Sequence, residues 1–136
     1  MTYQLEEPFF EEKGRITAQK EIGGNKTQMT FSSNGTFKGN IEITNSGDFV
    51  SVSKGNKGTS AQGQGVVTTK DGSEKASYTF LQVGKTTEDG KQRGVGCAIW
   101  STDSTGKLAF LDNMLSFFII EVDEVGNFSS KDRELK

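Results

Sequence analysis

The chain has 136 residues, a net charge of −2, ten Phe, one Trp, one Cys and no His. That length makes one domain, with aromatic side chains enough for a single core. The missing histidine removes the commonest general base and metal ligand, one cysteine excludes an internal disulfide, and singly scattered Lys and Arg leave no footprint for nucleic acid.

Residues 1–13 carry Glu6, Glu7, Glu11 and Glu12 around Pro8, Phe9 and Phe10. They read as an acidic N-terminal arm rather than a signal peptide, with residues 14–136 as the folded domain. No apolar run approaches the roughly 18 residues of a membrane span. The expectation is a soluble cytoplasmic protein that engages neither membrane nor nucleic acid.

A first strand is predicted over 14–22, closed by Gly23-Gly24-Asn25. Met29, Phe31, Ser33, Gly35, Phe37, Gly39, Ile41 and Ile43 then share one parity. A two-residue hairpin at Asn34-Gly35 would reverse that parity and expose half the apolar set. Two arrangements keep it: a three-residue loop at 33–35, or one long strand bent at its small residues. The bent strand is the slightly better fit.

Further strands are predicted at 48–54 after Ser46-Gly47, at 59–69 and 75–86 around Lys70-Asp71-Gly72-Ser73, and at 93–102 after Asp89-Gly90. Residues 107–113 are helix-compatible but too short for more than a turn. Strands at 114–122 and 127–134 finish the chain. This rhythm of Gly-bearing turns between short β-rich runs predicts an all-β, single-domain, eight-stranded antiparallel β-barrel, which abolishes exposed edges. A β-sandwich is the runner-up.

Residues 114–122 are apolar on both faces. Met114, Phe118, Ile120 and Val122 would face the core. Leu115, Phe117 and Ile119 would then need a cover, either the arm with Phe9 and Phe10 or a second copy of the chain. Burying each is worth roughly 1.5–3 kcal/mol, which points to a homo-oligomer through this face.

No spaced carboxylate cluster suggests a metal, and the Gly-x-Gly pairs at 63/65 and 94/96 lie inside strands, where glycine marks bending or close approach rather than a phosphate loop. No metal, cofactor or catalytic residue is assigned. Cys97, beside Val95 and Ile99, reads as a buried, inert thiol. The opposite face of that strand carries Gly96, Ala98 and Trp100, small residues beside a flat aromatic wall. With Tyr78 and Gln82 on one neighbour and Gln62 and Gln64 on the next, these residues outline a small-ligand pocket: Gln62, Gln64, Tyr78, Gln82 and Trp100. A packed core with paired amides is the alternative reading. A cavity of a few hundred Å³ beside Trp100 and Tyr78 separates the two.

The segments GRITAQKEI from Gly14, GQGVVTTKDG from Gly63, SYTFLQVGK from Ser77, and TGKLAFLDN from Thr105 through FFIIEVDEVGN resemble a family of uncharacterised small prokaryotic proteins. That family is in turn similar to the allene oxide cyclase barrel group. The resemblance implies an eight-stranded, calycin-like barrel, often oligomeric, that binds or isomerises a lipid-like or polyketide ligand in its cavity. It carries over no catalytic residue, and Asp112-Asn113 stands where relatives would have glycine. Three functions follow as expectations: binding of a small, mostly apolar ligand in the barrel interior; a cofactor-independent isomerase or cyclase; or a structural, interacting protein with a filled core.

Overall fold

The computed structural model describes residues 6–134. Eight strands form a closed antiparallel barrel in simple up-and-down order. They are β1 Phe10–Gly23, β2 Lys26–Phe37, β3 Ile41–Ser53, β4 Thr59–Thr69, β5 Lys75–Thr86, β6 Gln92–Ser101, β7 Met114–Val122 and β8 Asn127–Glu134. Closure comes from β1 against β8, with Phe10 opposite Asp132 and Arg15 opposite Asn127. Residues 1–5 of the arm lie outside the described residues.

The first strand begins at Phe10, ahead of the expected start at Gly14. Phe10, Glu12, Gly14 and Ile16 face inward while Glu11, Lys13 and Arg15 face water. Charged residues on every second position are the mark of a half-buried strand.

Two of the expected Gly-bearing turns lie inside strands, and neither arrangement expected for residues 29–43 is present: there is no loop at 33–35, and the run is not one bent strand but two antiparallel ones. Asn34-Gly35 belongs to β2 and Ser46-Gly47 to β3, which pair without interruption from Lys26/Val52 to Phe37/Ile41. The chain instead reverses at Lys38-Gly39-Asn40, where Lys38 and Gly39 take positive φ of 53° and 77°. This three-residue loop sets odd residue against odd residue, so the buried parity survives, with the reversal past Phe37. Gly47 is needed for space rather than for turning. A Cβ there would lie 2.1 Å from the Gln64 carbonyl oxygen and 2.7 Å from the Phe31 ring.

The barrel is plugged at one end. Between β6 and β7 the chain forms a short 3-10 turn, Ala109–Leu111, and Leu108 and Leu111 are fully buried beneath it with Phe10, Phe37 and Trp100. The Glu74 carboxylate holds this plug by accepting from the backbone N–H of Lys107 and of Leu108, both at 3.0 Å, and from the Ser104 hydroxyl. Phe9 stacks on Phe37 at 6.2 Å and meets Phe110 edge-on at 6.3 Å, so the arm packs on the plugged end. Towards the opposite end the inward residues Ile16, Phe49, Ile120 and Val122 are only half-buried. The interior is therefore a cup.

Candidate functional site

The floor and walls of the cup enclose a cavity of about 80 Å³. That is far below a few hundred Å³, and it is not a solid core either. Half of its lining is aromatic, including Phe31, Phe49, Phe80, Phe118 and Phe128 together with Tyr78 and Trp100. Inward glycines make room for these rings: a Cβ on Gly65 would sit 2.3 Å from the Tyr78 hydroxyl, and one on Gly96 2.7 Å from the Phe118 ring.

Three of the five expected pocket residues, Tyr78, Gln82 and Trp100, line this cavity. Gln62 and Gln64 are a correction: both are exposed on the outer face of β4. The reason is register. Thr69 and Glu74 flank a four-residue loop, so even residues of β4 stand opposite odd residues of β5, Gln62 against Leu81 and Gln64 against Thr79. Ala61, Gly63, Gly65 and Val67 take the inner positions instead.

Two ionisable groups absent from the expected site belong to its lining. Glu12 of β1 and Asp132 of β8 both line the cavity. Each ends a chain of hydrogen bonds that starts on an aromatic side chain. The Tyr78 hydroxyl donates to Asn45 Oδ1 at 2.9 Å, and Asn45 Nδ2 donates to Glu12 Oε1 at 3.0 Å. Ser33 Oγ donates to the same Glu12 oxygen at 2.5 Å. On the other side Trp100 Nε1 donates to Ser116 Oγ at 2.9 Å, and Ser116 Oγ donates to Asp132 Oδ2 at 2.7 Å. The rings of Tyr78 and Trp100 lie 4.6 Å apart, so the two chains start side by side.

Burial dominates the titration of both carboxyls. It pushes Asp132 up to about 8, against the lowering effect of the Ser116 hydrogen bond and with a further push from Glu12. Glu12 is raised by the same desolvation, which outweighs its bonds from Ser33 and Asn45. Tyr78 is held well above the ordinary phenol range by burial and by the two carboxyls. At neutral pH Asp132 is therefore mainly a neutral acid.

Both missed residues left a readable signal. Charges at 11, 13 and 15 assign Glu12 to the inner face. Phe128 in the core fixes the parity of Ser130 and Asp132 two and four positions on.

The outer wall holds a second feature. Cys97 is half-buried on the outside rather than in the core, because Gly94, Gly96, Ala98 and Trp100 take the inner positions of β6. Around it, Leu81 stands opposite Cys97 and Cys97 opposite Phe117, with Val83, Val95 and Ile119 forming the next row. Ile99 and Leu115 begin the row on the other side. Leu81, Val83 and Ile99 are 57–58% exposed, and Leu115 and Ile119 are 44% and 37% exposed. Phe9 and Phe10, expected as one cover for this face, are engaged at the plugged end and in the core. Part of the patch borders a trough of about 830 Å³ that also meets Val50, Val52 and Arg133.

Among the described residues no group of three His, Cys, Asp or Glu could hold a metal ion, and no helix is long and apolar enough to cross a membrane. No family model matches the chain. No curated protein matches it either. Among solved structures, the chain is similar to a conserved protein of unknown function from Rhodopseudomonas palustris, at 12% identity and a TM-score of 0.79 over the whole of both chains. It is also similar to a protein of unknown function from Clostridium acetobutylicum, at 9% identity and a TM-score of 0.78 over 99% of this chain and all of that one. At such identities the likeness is one of fold, and it supports the closed barrel.

Proposed function

We propose that this barrel binds a small, mostly apolar molecule in its cup. The observation that carries the reading is the aromatic cavity with Glu12, Tyr78, Gln82 and Asp132 converging on it. A chain built only for stability would fill that space and avoid two carboxyls without counter-ions. At about 80 Å³ the cavity suits a molecule of a few heavy atoms, or the head of a longer one leaving through the half-buried mouth. The link to the allene oxide cyclase barrels belongs to the same proposal, since those barrels are expected to use their interior in this way. Trp100, the single tryptophan, lines the cavity and gives the test. Titration with neohexyl alcohol, a compact apolar probe, should change its emission saturably; a flat response contradicts the reading.

A second reading, a cofactor-independent isomerase, is favoured by one observation. Asp132 keeps its proton to about pH 8, and a second carboxyl faces the same space. Asp132 could give a proton to one atom of a substrate while the Glu12 carboxyl, when ionised, takes one from another. Solvent deuterium appearing in a recovered ligand separates this from binding alone.

We also propose that the outer face of β5, β6 and β7 joins two copies of the chain. Three strands by three rows cover on the order of 300 Å² at usual strand spacings, which suits the apolar centre of an interface of about 800 Å² per partner. Lys85, Arg93 and Glu121 continue these strands as one side of a polar rim. A second copy, presenting the same patch and rim, is the occupant that matches it.

A further inference from the structure

We propose that the cup takes a small organic cation, an ammonium or quaternary ammonium group seated between Glu12 and Asp132 against the surrounding phenylalanine rings. This deepens the interior-binding reading and rests on it.

Four observations carry the assignment. Glu12 and Asp132 face one cavity, yet among the described residues neither has an ion-pair partner; the salt bridges there are Lys70 with Glu42 and Lys131 with Glu11, both at the surface. Every described Lys and Arg is exposed except Arg133, which is half-buried and stands on the outer parity of β8 opposite Phe117. Each carboxyl also has one oxygen in use and one without a donor. Ser33 and Asn45 both bond Glu12 Oε1, and Ser116 bonds Asp132 Oδ2. Among the described residues nothing donates to Glu12 Oε2 or Asp132 Oδ1.

The walls supply the rest. Phe31 has Phe49, Phe80 and Phe128 at 6.1–6.4 Å, and Phe80 has Phe118 at 6.1 Å, so ring faces and edges surround the space. Aromatic faces attract a cation that has shed its water, and they do so most in a desolvated site. A neutral apolar guest would leave Glu12 Oε2 and Asp132 Oδ1 without a donor, and an anion would be repelled by either carboxyl once ionised. A bare metal ion would find two carboxylates and no third strong ligand.

The titration of the site gives the proposal a second signature. Among the described residues, the polar groups that share the cavity with Asp132 are Glu12 from β1, Ser130 on its own strand, and Tyr78 and Gln82 from β5, with Ser116 of β7 bonded to it; none is a cation. A cation binds best to the ionised acid, so below pH about 8 its entry must expel the Asp132 proton to solvent. Affinity for a permanently charged guest should therefore rise with pH until that point.

The probes are choline and neohexyl alcohol, its uncharged carbon isostere, titrated calorimetrically into the wild-type protein. Above pH 8 choline should bind at least about tenfold more tightly than the alcohol. Its affinity should fall as the pH is lowered, with proton release, while that of the alcohol stays level. Asp132→Asn keeps an acceptor for Ser116 and should lose most of the difference while still binding the alcohol. Equal affinities for the two probes, or a choline affinity that ignores pH, overturn the cation assignment and leave the cup. Binding of neither probe overturns the cup reading as well. The pH series uses the wild-type chain, so the result stands even if the variant folds poorly.

Discussion

Glu12 and Asp132 are diagonal neighbours across the seam that closes the barrel: Phe10 stands opposite Asp132 and Glu12 opposite Ser130. Their side chains share the inner face of adjacent strands, where like charges repel. The seam thus carries a repulsion that grows as these carboxyls ionise at high pH.

A pH dependence of stability follows. Asp132 is raised from 3.8 to about 8 in the folded chain, so between those values the folded state holds a proton that the unfolded state has lost. Stability from this group is full below pH about 4, declines as pH rises through the window, and levels off above about 8. Glu12 is shifted in the same direction and adds to the decline. Urea unfolding at pH 5 and pH 9 should show the loss. Asp132→Asn should flatten it and be more stable at the higher pH by about 1–3 kcal/mol.

Gly65 faces Tyr78 so closely that a methyl group must displace the ring. Gly65→Ala should cost about 1–3 kcal/mol, because a Cβ would lie 2.4 Å from Tyr78 Cζ. Shifting the ring should also weaken the hydrogen bond to Asn45, and with it binding in the cup. Thermal unfolding and a Trp100 fluorescence titration read the two effects separately.

Gln62→Ala and Gln64→Ala make the contrasting pair. Both side chains are exposed on the outer face of β4, so stability should change by less than about 0.5 kcal/mol and interior binding should not change. Gln82→Ala, one strand away on the inner face, should alter the titration.

These glutamines show how much of the molecule was legible in the chain. The eight strands and their closure follow from alternation and turn chemistry, which are local. Placing a face inside or outside depends on loop length, because one residue more or less swaps every side chain. The odd-parity run through β2 and β3 survives because its loop has three residues, and the β4 glutamines are misplaced because theirs has four. Glu12 was hidden by Gly14, which looked like a strand start and is an inner-face position crowded by Ser33. Gly35 and Gly47 resembled turns for the same reason. A glycine that admits a neighbouring backbone or ring has the same letter as one that bends the chain.

The outer face offers an independent prediction. Val95→Glu puts a charge beside Cys97 in the middle of the patch and should give a monomer by light scattering if the wild-type chain is a dimer there. Its fold should be unchanged, since Val95 is 48% exposed. Cys97, the single thiol, should react faster with a maleimide in that variant than in the wild type. A wild-type chain that is monomeric at high concentration contradicts the proposed pairing.

The central claim is that the interior of this barrel is a binding cup. Heteronuclear NMR of the wild-type chain during titration with neohexyl alcohol tests it most directly. The account predicts saturable shifts at Phe31, Phe80, Phe118 and Ile120, which line the cavity, and none at Gln62 or Gln64. Shifts confined to the outer face around Leu81, Val95 and Ile119, or no saturable shift at all, would contradict it.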